Sequence, residues 1–167
     1  MWRVFALIDK TSQVVGKASS LLLLAVVATI AWEVMMRYIF NAPTIWAQET
    51  MQYLCGITYM LGGAFALYAG AHVRVEAFYE RLSTRKQALL DVATFPFFLV
   101  FTGALFWIGV QFASDSIALM ETTSTGWAPP IWPVKLTIPL GAILMVFQGC
   151  AQFGRRLLVL IGGNLEH

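Results

Sequence analysis

The chain has 167 residues, of which 59% are hydrophobic and 12% are charged, and its formal net charge is +2. A soluble domain carries about twice that fraction of charged residues, so the composition excludes an ordinary soluble fold and indicates a protein of the lipid bilayer. The weak net charge argues against nucleic-acid binding. Cys55 and Cys150 lie inside apolar runs, and with two histidines they make no metal-ligand spacing, so we expect neither a disulfide nor a metal.

Four apolar runs are long enough to span a membrane, at about residues 14–40, 47–70, 88–113 and 134–161. Each exceeds the ~20 residues needed to cross a hydrocarbon core of ~30 Å. Backbone groups in lipid must be hydrogen-bonded within their own segment, so each run is predicted to be helical. The predicted fold is an all-α integral membrane protein with one four-helix domain over residues 1–167. The first run is too long for a signal peptide and no A-x-A pattern follows it, so we interpret it as a retained helix.

Basic residues predict the orientation of these helices. Only Arg37 and Lys135 lie on one side of the membrane. The other lysines and arginines lie in the N-terminal segment, in the link between the second and third helices, and in the C-terminal segment. Because basic residues are enriched on the cytoplasmic side, both termini are predicted to be cytoplasmic.

The cytoplasmic link between the second and third helices is predicted to contain a short amphipathic helix. Charged residues alternate there with apolar residues at the spacing i, i+3, i+4, i+7 of one helix face: Val75, Phe78, Tyr79 and Leu82. A helix with such a face lies on the membrane surface. The alternative is an ordinary solvated connector.

Glu33 is the strongest candidate for an intramembrane functional group, because ionisable side chains within spans are commonly functional. It lies ~10 Å from the predicted outer end of the first helix. Arg37 follows on the same helix face and can form an ion pair with it. Glu49, in the first turn of the second helix, can instead pair with Arg37 across the outer turn, and the sequence leaves both pairings open. Trp46 is placed at the interface, where indoles are enriched.

Small residues repeat every four positions in the second helix, at Gly62, Ala66 and Gly70, with Gly63 beside them. Such a seam lets another helix approach closely. That helix belongs either to this chain or to a partner protein, and the sequence favours neither. In the fourth helix, Gln148 is expected to hydrogen-bond a neighbouring helix, as buried polar side chains in membranes usually do.

The sequence lacks motifs for catalysis and for solute binding. It has no Walker loop, no nucleophile elbow and no acid–base pair, and neither histidine lies where it could hold a haem inside the bilayer. No run is broken mid-membrane in the way that the binding helices of transporters are. We therefore expect no enzyme activity, no cofactor and no substrate-binding residue.

A more specific pattern covers the second helix and its flanks. It reads RYIFNAPTIWAQE, then the small-residue helix, then GAHVRVE. This order resembles the small membrane subunit, of the DctQ type, of tripartite ATP-independent periplasmic (TRAP) transporters. The later stretch WPVKLTIPLG, followed by Gln148, also resembles that family's fourth helix. One departure is Gln48, where relatives often have a second acid. The matching positions are Arg37, Trp46, Glu49, Gly70, His72, Val73, Glu76, Trp132, Pro139, Gly141 and Gln148.

The resemblance implies a function. TRAP systems import organic acids that a periplasmic binding protein captures, and a large membrane subunit carries the solute by a sodium-driven elevator motion. The small subunit, in the bacterial inner membrane and in contact with its lipids, would widen the stationary scaffold of the large one without touching the solute. A structural cluster is then expected at the cytoplasmic interface, and outer residues are candidates for docking the binding protein. The cluster is His72, Arg74 and Glu76, and the docking candidates are Asp115, Glu121 and Trp127.

Two other functions remain open from the residues alone. One is a self-sufficient, homo-oligomeric small transporter that uses Glu33 as its coupling carboxylate. It predicts that Glu33→Gln abolishes transport while assembly survives. The other is a scaffold subunit of an unrelated membrane complex, which only the identity of the co-purifying protein distinguishes from the TRAP function.

Overall fold

The computed structural model describes residues 2–70 and 82–161, and in this part of the chain every regular element beyond one isolated β-bridge is a helix. The predicted all-α fold is confirmed for the described residues. The amphipathic helix predicted around residues 75–82 lies almost wholly outside them. The helices are α1 (Trp2–Tyr38), α2 (Ile45–Tyr68), α3 (Thr84–Ala118) and α4 (Trp132–Ile161).

α1 and α3 are longer than the apolar runs that predicted them. α1 begins at Trp2 rather than near residue 14, and at 1.5 Å per residue its 37 residues extend about 55 Å. α3 has 35 residues and passes the predicted run 88–113 at both ends. An apolar run marks only the part of a helix that faces hydrocarbon, whereas backbone hydrogen bonds continue until a residue interrupts them. Charged residues such as Lys10 therefore lie within α1.

Three of the described helices have the length and apolar composition of a membrane span, over Arg3–Tyr38, Arg85–Ala118 and Trp132–Ile161. This confirms the predicted membrane protein in its coarse form. α2 has 24 residues, which is long enough, but polar side chains such as Gln48 and Gln52 lie near its beginning. A span by α2 stays a prediction, and so does the cytoplasmic placement of the termini.

The described helices pack in the spatial order α1, α2, α4, α3. α1 packs along α2, α2 along α4, and α4 along α3, and α1 also touches α4. Asp9 of α1 is paired with Arg155 of α4, so the first and last described turns lie together, at what we call the terminal end. The connections 39–44 and 119–131 lie at the opposite end, which we call the turn end.

Small side chains allow the helices of the core to approach closely. A Cβ atom added to Gly141 would collide with the carbonyl oxygen of Met60, so α2 and α4 meet there backbone to backbone. Gly149 likewise leaves room for the ring of Phe98 from α3. The buried hydrophobic residues are mostly alanines, at 0–3% exposure: Ala47, Ala64, Ala88, Ala113, Ala142 and Ala151.

α3 lies at the edge of the bundle and is held mainly by α4. Near the terminal end, the rings of Phe95 and Phe153 stack with centroids 4.2 Å apart. Beside them, Arg156 Nε lies 2.9 Å from Asp91 Oδ2. Within the most apolar stretch of α3 only 6% of residues are buried, compared with 44% in α4. Most of α3 therefore faces the surroundings of the chain.

We predict that Gly141→Ala destabilises the protein, because the added methyl group meets the backbone of Met60 and can be accommodated only if α2 and α4 separate. Overpacking of this kind costs about 1–3 kcal/mol. Thermal unfolding of the purified chain in mild detergent should show a lower midpoint. Gly103→Ala is the matched control, because nothing lies within 4 Å of a Cβ at Gly103. Equal midpoints for the two variants would contradict the close α2–α4 contact.

Candidate functional site

Glu33 closes the turn between α1 and α2. Its Oε1 lies 2.6 Å from Arg37 Nη2. Its Oε2 accepts hydrogen bonds from the Thr44 hydroxyl and from the Thr44 backbone N–H, the latter at 3.2 Å. Of the two pairings that the sequence left open, the structure places Arg37 on Glu33. Both oxygens of the Glu33 carboxylate therefore accept hydrogen bonds.

Glu49 turns away from Arg37 and toward the connection between α3 and α4. Its side chain is 6% exposed, and its Oε2 accepts a hydrogen bond of 3.4 Å from the Thr123 hydroxyl. Its Oε1 has no hydrogen-bond partner among the described residues. One turn further along α2, the Tyr53 hydroxyl donates to the carbonyl oxygen of Pro129 at 3.3 Å. These two hydrogen bonds attach the 119–131 connection to α2.

The 119–131 connection is itself ordered by backbone hydrogen bonds. Ile131 N–H donates to the carbonyl of Glu121 at 2.9 Å, and Thr123 N–H donates to that of Pro129 at 3.1 Å. The Glu121 side chain forms an ion pair with Lys135 in the first turn of α4. Of the three docking candidates, Asp115 and Trp127 are exposed, whereas Glu121 is engaged within the chain.

The ion pair changes the titration of Glu121, which lies outside the membrane-spanning segments. The hydrogen bond donated by Lys135 and its positive charge hold the pKa of the Glu121 carboxyl below its ordinary value of 4.5. A carboxyl whose pKa is lowered on folding stabilises the folded state above the unfolded pKa. That contribution is lost as the pH falls through the folded pKa.

A buried polar network joins α1 to α4 near the terminal end. Gln148 is fully buried, and its Oε1 accepts a hydrogen bond of 2.8 Å from the Ser12 hydroxyl. Its Nε2 donates to Asp9 Oδ1 at 3.0 Å, and Asp9 Oδ2 is bound by Arg155. Gln152 of α4 donates a hydrogen bond to the carbonyl of Leu67, which connects α2 to the same network. The network fixes three helices relative to one another.

The sequence indicated Gln148 but not its partners. Ser12 and Gln148 are 136 positions apart, so the sequence gives no direct sign of the contact. The available signal was the i, i+3 spacing of Asp9 and Ser12, which places both on one face of α1. That signal was lost because residues before position 14 were not expected to be helical.

The small residues of α2 do not all face the same neighbour. A Cβ atom on Gly63 would meet the Met145 sulfur of α4 at 3.0 Å, so Gly63 serves packing within the chain. A Cβ atom on Gly62 or Gly70 would meet no described residue within 4 Å, and Ala66 is half-buried. Gly70 ends the helical region with a φ of +71°, a conformation that glycine adopts without strain.

The remaining candidates are Trp46 and the predicted cytoplasmic cluster. Trp46 is 41% exposed in the first turn of α2, a position that suits an indole at the membrane interface. His72, Arg74 and Glu76 lie outside the described residues. Within the described ranges, no group of three or more His, Cys, Asp or Glu side chains could hold a metal ion.

Comparison with known proteins decides the family. The family described as "Tripartite ATP-independent periplasmic transporters, DctQ component" matches residues 13–159, which is most of the chain. The chain belongs to this family. It is a small permease subunit of the TRAP type, a transport protein with transmembrane helices and not an enzyme.

Two relatives illustrate the range of the family. This small permease subunit is 26% identical over 141 residues to the sialic acid TRAP transporter small permease protein SiaQ of Vibrio cholerae, covering 84% of this chain and 80% of the relative. It is 30% identical over 108 residues to the C4-dicarboxylate TRAP transporter small permease protein DctQ of Rhodobacter capsulatus, covering 62% of this chain. The aligned region spans 45% of the latter protein.

We predict that Gln148→Leu destabilises this small permease subunit by about 1–3 kcal/mol, because Ser12 and Asp9 lose a buried hydrogen-bond partner. Thermal unfolding in detergent measures the loss. Gln111→Leu is a suitable control, because Gln111 is exposed on α3. A Gln148→Leu variant as stable as the control would show that the network contributes nothing to folding.

A second prediction concerns Glu121. In the folded protein the pKa of its carboxyl group, followed by carbon NMR during an acid titration, should lie below 4.5. Lys135→Met should raise that pKa, because it removes the hydrogen-bond donor and the positive charge. A pKa that does not respond to the substitution would mean that the ion pair does not form in solution.

Proposed function

We propose that the chain is a rigid scaffold subunit. In the bacterial inner membrane it binds the large membrane subunit of a TRAP transporter and widens the part of that subunit that stays still during transport. The observation that carries this proposal is the placement of the polar groups. The networks around Glu33 and around Gln148 tie helices together at the two ends of the bundle, and both oxygens of Glu33 are occupied.

A scaffold for an elevator motion must resist displacement within the lipid. The bundle supports this role because α1 and α3 are each longer than the ~30 Å hydrocarbon core and expose many large apolar side chains. α2 contacts Thr123 at the turn end and Gln13 of α1 near the terminal end, so it runs beside α1 from position 13 to the turn end. We propose that all four helices span the membrane, with the terminal end in the cytoplasm, as the basic residues predict.

The transported solute is proposed to be an organic acid. One relative is named for sialic acid and the other for C4-dicarboxylates, and both of these are organic acids. We propose that a periplasmic binding protein delivers the solute and that a sodium gradient drives its import through the large subunit. At the turn end, Asp115 and Trp127 are exposed and Glu121 is partly exposed, so the 119–131 connection is a candidate for transient docking of that binding protein.

The test is affinity purification of the tagged chain, expressed at native level in its own organism and extracted in a mild detergent. Mass spectrometry should find a large polytopic membrane protein in stoichiometric amount. With both subunits and the binding protein reconstituted in liposomes, Glu33→Gln should retain solute uptake within about twofold. We expect this because an amide oxygen can still accept the hydrogen bonds from Thr44.

The opposite results would support the self-sufficient transporter. In that case the chain purifies alone as a defined oligomer and moves solute in liposomes without a partner. Glu33→Gln then abolishes uptake while the oligomer still assembles. Either finding overturns the scaffold function.

A further inference from the structure

One side of α2 is not covered by any described part of the chain. α1 covers one flank, where Phe65 fills the space beside Gly16. α4 covers another flank, where Gly63 meets Met145. Between these flanks, residues at intervals of three, four or seven positions form a stripe, as expected for one helix face. We call this stripe the open face of α2, and it consists of Gln48, Gln52, Tyr59, Gly62 and Ala66.

The open face carries polar groups at depths where lipid offers them no partner. Gln52 is exposed and lies ~10 Å along α2 from Ile45, and Tyr59 is 75% exposed and lies ~21 Å along it. In the described part of the chain, neither side chain has a hydrogen-bond partner. A hydroxyl or amide in hydrocarbon without a partner is strongly unfavourable, and tyrosines that face lipid normally lie near the interface instead.

α3 provides the contrast. Its central stretch is at least as exposed as α2, but the exposed side chains are Phe97, Val100, Phe101 and Trp107, which have a single N–H group among them. The one threonine there, Thr102, is buried and donates to the carbonyl of Phe98 at 2.7 Å. This is the composition of a surface that faces lipid. The open face of α2 differs from it because its exposed side chains carry polar atoms. Such atoms are expected at a contact with protein and not at a contact with lipid.

We propose that a transmembrane helix of the large permease subunit packs on the open face of α2, an inference that rests on the proposed function. Gly62 has open space beside it, so a partner backbone can approach closely there. Gln52 and Tyr59 would then hydrogen-bond hydroxyl, amide or free carbonyl groups of the partner helix. The relatives are named small permease proteins, so a second, larger permease is the expected neighbour rather than another copy of this chain.

Two leucine substitutions test the proposal. Among the described residues, none lies within 4 Å of a Cβ position at Gly62 or at Gly103, so leucine is expected to be accommodated at either site. Gly62 lies on the open face of α2 and Gly103 lies between Val100 and Trp107 on α3. Gly62→Leu should reduce the amount of large subunit that co-purifies by at least about fivefold, because it blocks close helix approach. Gly103→Leu should leave the amount within about twofold of wild type.

The polar groups are tested by Tyr59→Phe combined with Gln52→Leu. This pair removes the hydrogen-bonding atoms and keeps side chains of similar size, so the large subunit should be lost more readily as detergent is increased. Thermal unfolding of each variant chain without partners is the control for folding. Equal recovery from wild type and from both open-face variants would overturn the inference. A wild-type chain that retains no large subunit would instead contradict the proposed function itself.

Photo-cross-linking distinguishes between the large subunit, a second copy of this chain and lipid as the occupant of the open face. In a background of Cys55→Ala and Cys150→Ala, a benzophenone label is placed at Tyr59→Cys or, as the lipid-facing control, at Val100→Cys. An adduct of this chain with the large subunit from position 59, and none from position 100, is the expected result. An adduct of twice the mass of this chain would show that a second copy occupies the face, and the absence of any protein adduct at position 59 would indicate lipid. Either result overturns the inference.

Discussion

The backbone contact between α2 and α4 at Met60 and Gly141 determines where the other parts of the bundle lie. Because the two helices approach there without intervening side chains, their neighbouring polar groups come within hydrogen-bond distance at both ends. At the turn end Tyr53 reaches the carbonyl of Pro129, and at the terminal end Gln152 reaches the carbonyl of Leu67. α1 and α3 then attach to opposite sides of this central pair.

This arrangement explains how polar residues can stabilise a bundle of helices in lipid. Interhelical hydrogen bonds in membranes contribute about 0.6–2 kcal/mol each, so several are needed to hold a bundle rigid. In the described part of the chain, one group surrounds Gln148, a second surrounds Glu33 at the α1–α2 turn, and further bonds join Gln13 to Tyr68 and Arg156 to Asp91. Arg37 and Thr44 together donate hydrogen bonds to both oxygens of the Glu33 carboxylate.

The sequence predicted much of this fold from apolar length alone, because a hydrocarbon core imposes the same minimum on every span. It also predicted that Arg37 pairs with a carboxylate and that Gln148 bonds across helices. It did not choose between Glu33 and Glu49, because that choice depends on how the 119–131 connection covers α2. It missed Asp9 and Arg155 as partners, because the beginning of α1 mixes charged, polar and apolar residues and carries no length signal.

Gly62 and Gly63 show that contacts within the described chain explain only some of the residue types in α2. They are neighbours in the sequence, but on a helix they point about 100° apart. The contact with Met145 explains why position 63 is small, and nothing in the described chain explains position 62. The same is true of Gln52 and Tyr59, whose polar atoms lie where neither lipid nor this chain satisfies them. α2 also carries glutamine and tyrosine side chains among its apolar residues. A helix with that composition is stable at membrane depth when protein surrounds it on every side, and α1 and α4 cover only part of its circumference.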